Sequence, residues 1–297
     1  MLILEDHHGR AEIHPEQGGG IGRYDIKTAD GHREIFRPDA RRRGAFALGC
    51  NVLLPFSNRI SGGGFRHEGI FHPLEPNIEG NPFPTHGNAF TSAWNIVETT
   101  ATRVALSLIS FGPGPFRYRA ELLYALAEGT LRMTLRATNT AAMSLPFGAG
   151  FHPWFVRTSS TRLQFSAAGF WSEKSNHLPE SYHSIDTAEE MDFTSARELP
   201  IGWINTAYTG WDGKALIDWP DRGIGVTITA PTPLSTAILY SPSANADFFC
   251  FEPVSHSVDT HNSNPAGSTP PQALQPGETL AAEMHIRTHF GARHSNI

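Results

Sequence analysis

The chain has 297 residues, of which 39% are hydrophobic and 18% are charged, with a formal net charge of −6 and a pI near 6.2. A chain of this size can bury a substantial core, and large all-β sandwiches of this length often form one domain, so we expect a single domain over residues 1–297. The acidic balance provides no basic field for nucleic acid or an anionic membrane. A small neutral ligand is compatible with it.

The start of the chain and its cysteines bear on location. The first residues, Met-Leu-Ile-Leu-Glu-Asp-His-His, reach two acids too early for the apolar region of a secretory signal, and no run approaches the length of a membrane span. We therefore expect a cytoplasmic protein. The two cysteines, Cys50 and Cys250, are too few for a disulfide framework or a multi-cysteine zinc site. Both lie in apolar surroundings, as reduced core residues do.

Three adjacent arginines, Arg41–Arg43, form a basic cluster. Such a run is usually a solvated loop, and we interpret it in that way. The alternative is a contact with a sugar phosphate, which guanidinium groups bind well.

Two segments further along have the alternation of a β-strand. They are residues 103–109, Arg-Val-Ala-Leu-Ser-Leu-Ile, and residues 130–137, Thr-Leu-Arg-Met-Thr-Leu-Arg-Ala. Long amphipathic helices are hard to find, while 28 glycines and 22 prolines mark many turns. The pattern favours an all-β protein with antiparallel strands, a sandwich or a barrel.

Two histidines lie in compact contexts of glycine, proline and aromatic residues. His86 lies in Thr-His-Gly-Asn-Ala-Phe (85–90), and His152 lies in Gly-Ala-Gly-Phe-His-Pro-Trp-Phe (148–155). Pro153 restricts His152 to extended backbone, and Trp154 offers a stacking face for a sugar ring. Imidazole titrates near neutrality, so His152 is a candidate general acid. The alternative is a histidine that only packs in the core or lies on the surface.

The segment 249–256, Phe-Cys-Phe-Glu-Pro-Val-Ser-His, has one carboxylate within an apolar run. Burial without a cation raises the pKa of a glutamate towards the range where it exchanges protons near neutrality. We therefore interpret Glu252 as a candidate general base. The alternative is a glutamate on the solvent face of the strand or paired with an arginine.

The region after Glu252 contains further polar residues. His256 and His261, with Asp259 between them, suggest a metal site, but a spacing of five fits neither one face of a helix nor one side of a strand, so we expect no metal. Residues 262–271 are polar and rich in turn formers, which predicts a loop.

Four segments in order resemble the aldose 1-epimerase (galactose mutarotase) family. They are Pro-Phe-Ser-Asn-Arg-Ile (55–60), Thr-His-Gly (85–87), Gly-Phe-His-Pro-Trp-Phe (150–155) and Phe-Glu-Pro (251–253). The resemblance runs from about Gly18 to Leu280. It implies a large antiparallel β-sandwich of the galactose mutarotase-like type, with the site in a groove of one sheet.

The resemblance also implies residue roles. Arg59 would bind sugar hydroxyls, and His86 would contact the sugar near its reacting end. His152 would act as general acid towards the ring oxygen, and Glu252 as general base towards the C1 hydroxyl. These roles agree with the residue chemistry of the two candidate groups.

The chain departs from the family pattern at one position. The family usually has an aspartate in an Asp-His-x-Phe segment that binds ring hydroxyls, where this chain reads Asn-Thr-Ala-Tyr, beginning at Asn205. An amide still donates and accepts hydrogen bonds, but it loses the charge-assisted contacts of a carboxylate. Asp212, in Gly-Trp-Asp-Gly, is the candidate substitute, and a turn aspartate before glycine is the alternative interpretation.

We therefore expect an aldose 1-epimerase that interconverts the α and β anomers of a free hexose or related aldose without a cofactor. The expected partner is a small monosaccharide, bound by a monomer or homodimer. A hexose-6-phosphate 1-epimerase is one alternative, and a non-catalytic sugar-binding or sensing protein is another. A binder has no use for a matched acid and base, so the presence of both Glu252 and His152 favours the enzyme.

Overall fold

The computed structural model describes residues 1–37 and 45–291, and the interpretation of Arg41–Arg43 lies outside these residues. The described chain is built of strands joined by turns and short 3₁₀ helices. The first strands are β1 Leu2–Glu5, β2 Gly9–His14, β3 Gly20–Thr28, β4 Gly31–Glu34, β5 Cys50–Leu53, β6 Gly64–His67, β7 Ile70–Pro73, β8 Asn95–Thr99, β9 Arg103–Ser110, β10 Tyr118–Ala127, β11 Thr130–Asn139 and β12 Leu145–Phe147.

The second half of the described chain continues the pattern. Its strands are β13 Gly150–Val156, β14 Arg162–Phe165, β15 Gly169–Glu173, β16 Pro179–Ser184, β17 Arg197–Glu198, β18 Ile204–Thr209, β19 Lys214–Trp219, β20 Ile224–Thr229, β21 Thr236–Ser241, β22 Phe248–Val254, β23 Gln272–Leu274 and β24 Thr279–Phe290. The 3₁₀ helices are Ala45–Ala47, Ala89–Thr91, Ile185–Thr187, Glu189–Met191 and Pro220–Arg222.

Within the described ranges, two large sheets contain most of these strands. The larger has the order β1-β2-β3-β5-β13-β22-β21-β18-β15-β16, with β4 paired to β3, and the smaller has the order β17-β14-β19-β20-β24-β11-β10-β9-β8. Neighbouring strands in both sheets run antiparallel. Two further short antiparallel pairs are the hairpin β6-β7 and the pair β12-β23, whose strands are distant in sequence.

Alternation in the sequence explains the smaller sheet. In β9 and β11 every second residue is buried and the intervening residues face outward, as the strand prediction for residues 103–109 and 130–137 requires. β11 lies between β10 and β24, so its buried residues cover the centre of the core. Both predicted strands are confirmed.

The two faces of the larger sheet differ in the side chains that they present. Phe151, Phe155 and Phe251 belong to the core cluster that also contains residues of the smaller sheet. Because successive side chains of a strand point to opposite faces, His152 and Glu252 point away from that core. The outer face of β13 and β22 is therefore where polar side chains collect.

The segment after β22 crosses one end of this outer face. Residues 255–271 contain no strand, so the loop predicted for 262–271 is confirmed. Within the described residues, no helix is long and apolar enough to cross a membrane. Cys50 and Cys250 are both buried.

Candidate active site

Adjacent strands bring the two candidate proton-transfer groups together. The register of β13 and β22 pairs Trp154 with Cys250, so His152 and Glu252, two positions along, lie opposite each other. His152 Nε2 is 3.4 Å from Glu252 Oε1. An imidazole and a carboxylate from two distant motifs therefore form one pair.

Glu252 is enclosed, with only 3% of its surface exposed. Its Oε2 atom is buried and has no hydrogen-bond partner within the described ranges. Burial raises the pKa of Glu252 to about 8, and the nearby Arg59 guanidinium opposes this shift. The carboxylate therefore exchanges its proton near neutral pH, as the sequence predicts for a tuned glutamate.

His152 is held between aromatic groups. Its ring stacks on the Trp154 indole with centroids 4.8 Å apart and planes 6° from parallel, and the Arg37 guanidinium lies 3.5 Å from the same indole. Trp154 is only 9% exposed, so these contacts leave little of its face for a sugar ring. Burial, followed by the charge of His86, lowers the pKa of His152 well below its usual range.

His86 is fixed by a reciprocal contact with the segment that follows β5. The Asn58 backbone N–H donates to His86 Nδ1 at 3.0 Å, and the His86 backbone N–H donates to the Asn58 carbonyl at 3.0 Å. Nδ1 is thus an acceptor, so the neutral ring carries its proton on Nε2 and can donate it to a ligand. Burial lowers the pKa of His86 to about 3, which keeps the ring neutral.

The backbone at this histidine requires the glycine that follows it. His86 and Gly87 both have positive φ, at 61° and 67°. A Cβ atom at Gly87 would lie 2.0 Å from the Leu54 carbonyl oxygen, so only glycine fits. The His-Gly motif is therefore a requirement of the turn.

Arg59 extends from the same segment. Its guanidinium donates to Asn58 Oδ1 at 3.1 Å. Burial lowers the pKa of Arg59, and the charges of Glu173 and Glu252 oppose that shift. Arg59 therefore lies close enough to both carboxylates to interact with them electrostatically.

These residues line one cavity of about 240 Å³. It brings together six residues expected at the site: Arg59, His86, His152, Trp154, Asn205 and Glu252. The other residues around it are Phe46, Asn58, Ile78, Asn81, Thr85, His177, Trp203 and Tyr240.

Asp212 does not line this cavity. Asn205 is near the start of β18, whereas Asp212 follows the end of that strand, in a turn where its carboxylate accepts the Lys214 backbone N–H at 3.0 Å. At about 3.3 Å per residue, the strand from Asn205 to its end at Thr209 spans roughly 13 Å, and Asp212 lies beyond that end. The structure thus places Asp212 in its alternative role, that of a turn aspartate.

Several cavity residues were not anticipated from the sequence. Phe46 lies in the 3₁₀ helix Ala45–Ala47, with its ring about 6 Å from those of both His86 and His152. Trp203, 50% exposed, stands edge-on to Tyr240 at the mouth. Behind Asn205 lies Glu173, the last residue of β15. Its sequence signal, an acid after the aromatic run Gly-Phe-Trp-Ser, resembles that of Glu252.

Two sets of potential metal ligands differ in their availability. In the described part of the chain, ligand atoms of His152, Cys250 and Glu252 lie within 4.8 Å of one another. A metal ion there would occupy the atoms of the candidate acid and base. His256 and His261, in contrast, have ring nitrogens engaged by the Ser57 backbone N–H and the Pro146 carbonyl.

Comparison with known proteins bears on the family of the chain. A family model described as aldose 1-epimerase matches residues 1–287. The chain belongs to the aldose 1-epimerase family. The protein is therefore an isomerase with the galactose mutarotase-like β-sandwich that the sequence resemblance implies.

Individual relatives of this aldose 1-epimerase family member support the same assignment. YphB of Escherichia coli K12, an uncharacterized protein, is 32% identical over 297 residues, which cover 98% of this chain and all of YphB. The crystal structure of a candidate aldose 1-epimerase from the same strain is 31% identical, with a TM-score of 0.89 over 97% of this chain and 98% of that one. A galactose mutarotase-like protein from Clostridium acetobutylicum is 18% identical, with a TM-score of 0.82 over 97% of this chain and 94% of its own, and supports the fold alone.

Proposed function

We propose that the protein is a mutarotase that interconverts the α and β anomers of a free hexose or related aldose. The observation that carries the proposal is the buried Glu252 carboxylate, 3.4 Å from the His152 imidazole, at the base of a cavity. At about 240 Å³ the cavity lies just below the roughly 300–1,000 Å³ of pockets for drug-sized ligands, which suits a single sugar ring.

The reaction needs one base and one acid. Glu252 as carboxylate takes the proton of the C1 hydroxyl while the C1–O5 bond breaks, and His152 as imidazolium gives its proton to O5. The open-chain aldehyde rotates about C1–C2, and reversal of both transfers closes the ring on the other face. Protons balance over the cycle, and no redox change occurs.

The two groups share a single proton near neutral pH. The pKa of Glu252 is raised and that of His152 is lowered, so the proton resides on Glu252 when the site holds no sugar. For Glu252 to act as base, this proton moves to His152 across 3.4 Å. A polar ligand desolvates the Glu252–His152 pair less than an apolar ligand does. It therefore favours the charged form of the pair.

The other cavity residues hold the sugar. Neutral His86 donates from Nε2, Arg59 donates from its guanidinium, and the Asn205 amide offers both a donor and an acceptor. Trp203, half exposed at the mouth, offers an aromatic face that the enclosed Trp154 does not. These contacts position the ring so that C1 and O5 face the acid–base pair.

The test is polarimetry of freshly dissolved α-D-glucose and α-D-galactose. The wild-type protein should accelerate the approach to equilibrium, and Glu252→Gln and His152→Asn should each lower kcat by about 10²–10⁴-fold, the usual contribution of a positioned acid or base. Glu121→Gln, on the exposed side of the smaller sheet, is the matched control and should retain the wild-type rate.

The outcome separates this proposal from its alternatives. Acceleration by wild type that both site variants retain would contradict the assigned roles. A wild-type rate equal to buffer with free hexoses, but raised with hexose 6-phosphates, would identify the phosphorylated substrate class. Sugar binding without any mutarotation would identify a binding protein. A cytoplasmic location and a monomeric or homodimeric state also belong to this proposal.

A further inference from the structure

Glu173 collects three hydrogen-bond donors beside the cavity. Its Oε1 accepts from the Trp203 indole at 2.5 Å, and its Oε2 accepts from the Asn205 amide at 2.7 Å. The His177 ring Nδ1 is also 2.9 Å from Oε2. All three partners line the cavity, whereas Glu173 lies behind them. One carboxylate therefore anchors one wall of the site.

The contact with Glu173 determines how Asn205 presents its amide. A carboxylate can only accept, so the group that faces Glu173 is the Asn205 NH₂. The carbonyl oxygen Oδ1 is then left as the acceptor of the side chain. Asn205 pairs with Tyr240 in the sheet register, and Tyr240 pairs with Cys250, next but one to Glu252. The amide thus stands in the cross-strand row beside the acid–base pair.

Glu173 also contributes charge to the site. Among the charges around Arg59, that of Glu173 gives the largest opposition to the lowering of the Arg59 pKa, ahead of Glu252. Glu252 is protonated in the unoccupied site near neutral pH, since its pKa is raised to about 8. Arg59 therefore interacts more strongly with the Glu173 side of the cavity than with Glu252.

We propose that Glu173 and Asn205 act as one unit in substrate recognition, with Glu173 the positioning residue that orients the Asn205 amide to accept a ring hydroxyl. The pair supplies an oriented oxygen acceptor and a negative charge from two side chains, where a single aspartate at position 205 would supply both. The inference rests on the proposed function, because the ligand is taken to be an aldose.

A merely structural role for Glu173 makes a different prediction. Glu173 ends β15, and its contact with His177 could do no more than close the turn into β16. In that case removal of its charge would lower stability without any dependence on residue 205. A unit that orients the amide predicts instead that the effects of changing residues 173 and 205 depend on each other.

The test is a double-mutant cycle on mutarotation with Glu173→Gln, Asn205→Asp and the double variant. Asn205→Asp alone sets two carboxylates within hydrogen-bond distance and should raise KM at least about 10-fold. Glu173→Gln alone removes the charged acceptor and should raise KM by about 10-fold. In the double variant the introduced glutamine donates to the introduced aspartate, and KM should return to within about 3-fold of wild type.

Separate values of KM and kcat, together with a control variant, distinguish an effect on recognition from an effect on catalysis. The kcat values should change less than about 3-fold, because Glu252 and His152 are untouched. Glu180→Gln, exposed on the same hairpin in β16, should behave as wild type. A double variant that is as impaired as the worse single variant, or whose losses simply add, would overturn the inference.

Sugar binding measured by calorimetry separates this inference from the proposed function. If the wild-type protein shows no mutarotation, but the sugar affinities of the variants show the same rescue in the double variant, the catalytic role is refuted. The Glu173–Asn205 unit is then supported. Mutarotation without rescue would retain the function and refute the unit. Wild type that neither binds nor converts an aldose would overturn both.

Discussion

Glu252 carries an energetic cost in the folded protein whenever it is ionised. Its folded pKa of about 8 exceeds the ordinary value of 4.5, so folding favours the protonated form. This favourable contribution is complete below about pH 4.5 and is lost as the pH rises through about 8. A glutamine resembles the neutral acid, so Glu252→Gln should raise the free energy of unfolding at pH 9 by about 3–5 kcal/mol relative to wild type.

Urea unfolding at pH 5 and pH 9 measures this effect. The gain from Glu252→Gln should be much smaller at pH 5, because this pH is only half a unit above the ordinary pKa of 4.5 and the folded carboxyl is still protonated. Glu121→Gln should show no such difference between the two pH values. An equal effect of Glu252→Gln at both pH values would mean that the folded carboxyl is not desolvated.

At the scale of elements, the loop after β22 holds the segment that carries Arg59. Asp259 Oδ1 accepts the Ser61 backbone N–H at 2.8 Å, and its Oδ2 accepts the Ser61 hydroxyl at 2.7 Å. Asp259 has a φ of 59°, a conformation that aspartate and asparagine adopt more readily than alanine. This loop therefore holds the segment of Arg59 through Ser61, two residues further along the chain.

Removal of this clamp should weaken sugar binding more than chemistry. Asp259→Ala loses both hydrogen bonds and places alanine at positive φ, so KM should rise by about 10-fold with kcat changed less than about 3-fold. Asp259→Asn keeps an acceptor for the Ser61 N–H and tolerates the backbone, so it should remain near wild type. Steady-state mutarotation kinetics give both constants. An unchanged KM in Asp259→Ala would show that Arg59 does not depend on the loop.

The sequence predicts single strands well and their lateral neighbours poorly. Alternation predicts β9 and β11 because burial repeats every second residue within one strand. The partnership of Glu173 with Asn205 depends on the order β21-β18-β15, which no local pattern specifies. Asp212 is close to Asn205 in sequence, but it lies in the turn after β18 and does not line the cavity.

At the scale of the whole molecule, the motifs that resemble the family predict the residues of the site, which the amino-acid composition does not. Six of the seven residues named for the site line one cavity, because the motifs that carry them lie on the adjacent strands β13 and β22 or on the segments beside β5 and at the start of β18. The residues that the motifs miss, such as Phe46 and Trp203, reach the cavity from connecting segments. Their placement depends on how the loops fold over the sheet.

The buried histidines make the whole fold sensitive to acid. His86, His152, His256 and His261 are enclosed, and burial lowers the pKa of each, to about 3 for His86, about 4 for His256 and well below the usual value for the other two. Their stabilising effect is complete above pH 6.5 and is lost as the pH falls, because the unfolded chain binds protons that the folded chain does not.

Between pH 6.5 and about 4.5, Glu252 offsets one of these four protons, since its folded form retains a proton that the unfolded chain releases. The net difference of three protons should reduce the free energy of unfolding by about 4 kcal/mol per pH unit. At that slope, a typical protein of 5–15 kcal/mol stability would unfold roughly one to four pH units below pH 6.5. Urea titrations at half-unit pH intervals measure the slope.

His261→Gln, which can still donate to the Pro146 carbonyl, should reduce the slope by about 1.4 kcal/mol per pH unit. The cavity variant Leu145→Ala should lower stability without changing the slope. A flat pH profile would mean that these rings take up protons in the folded state.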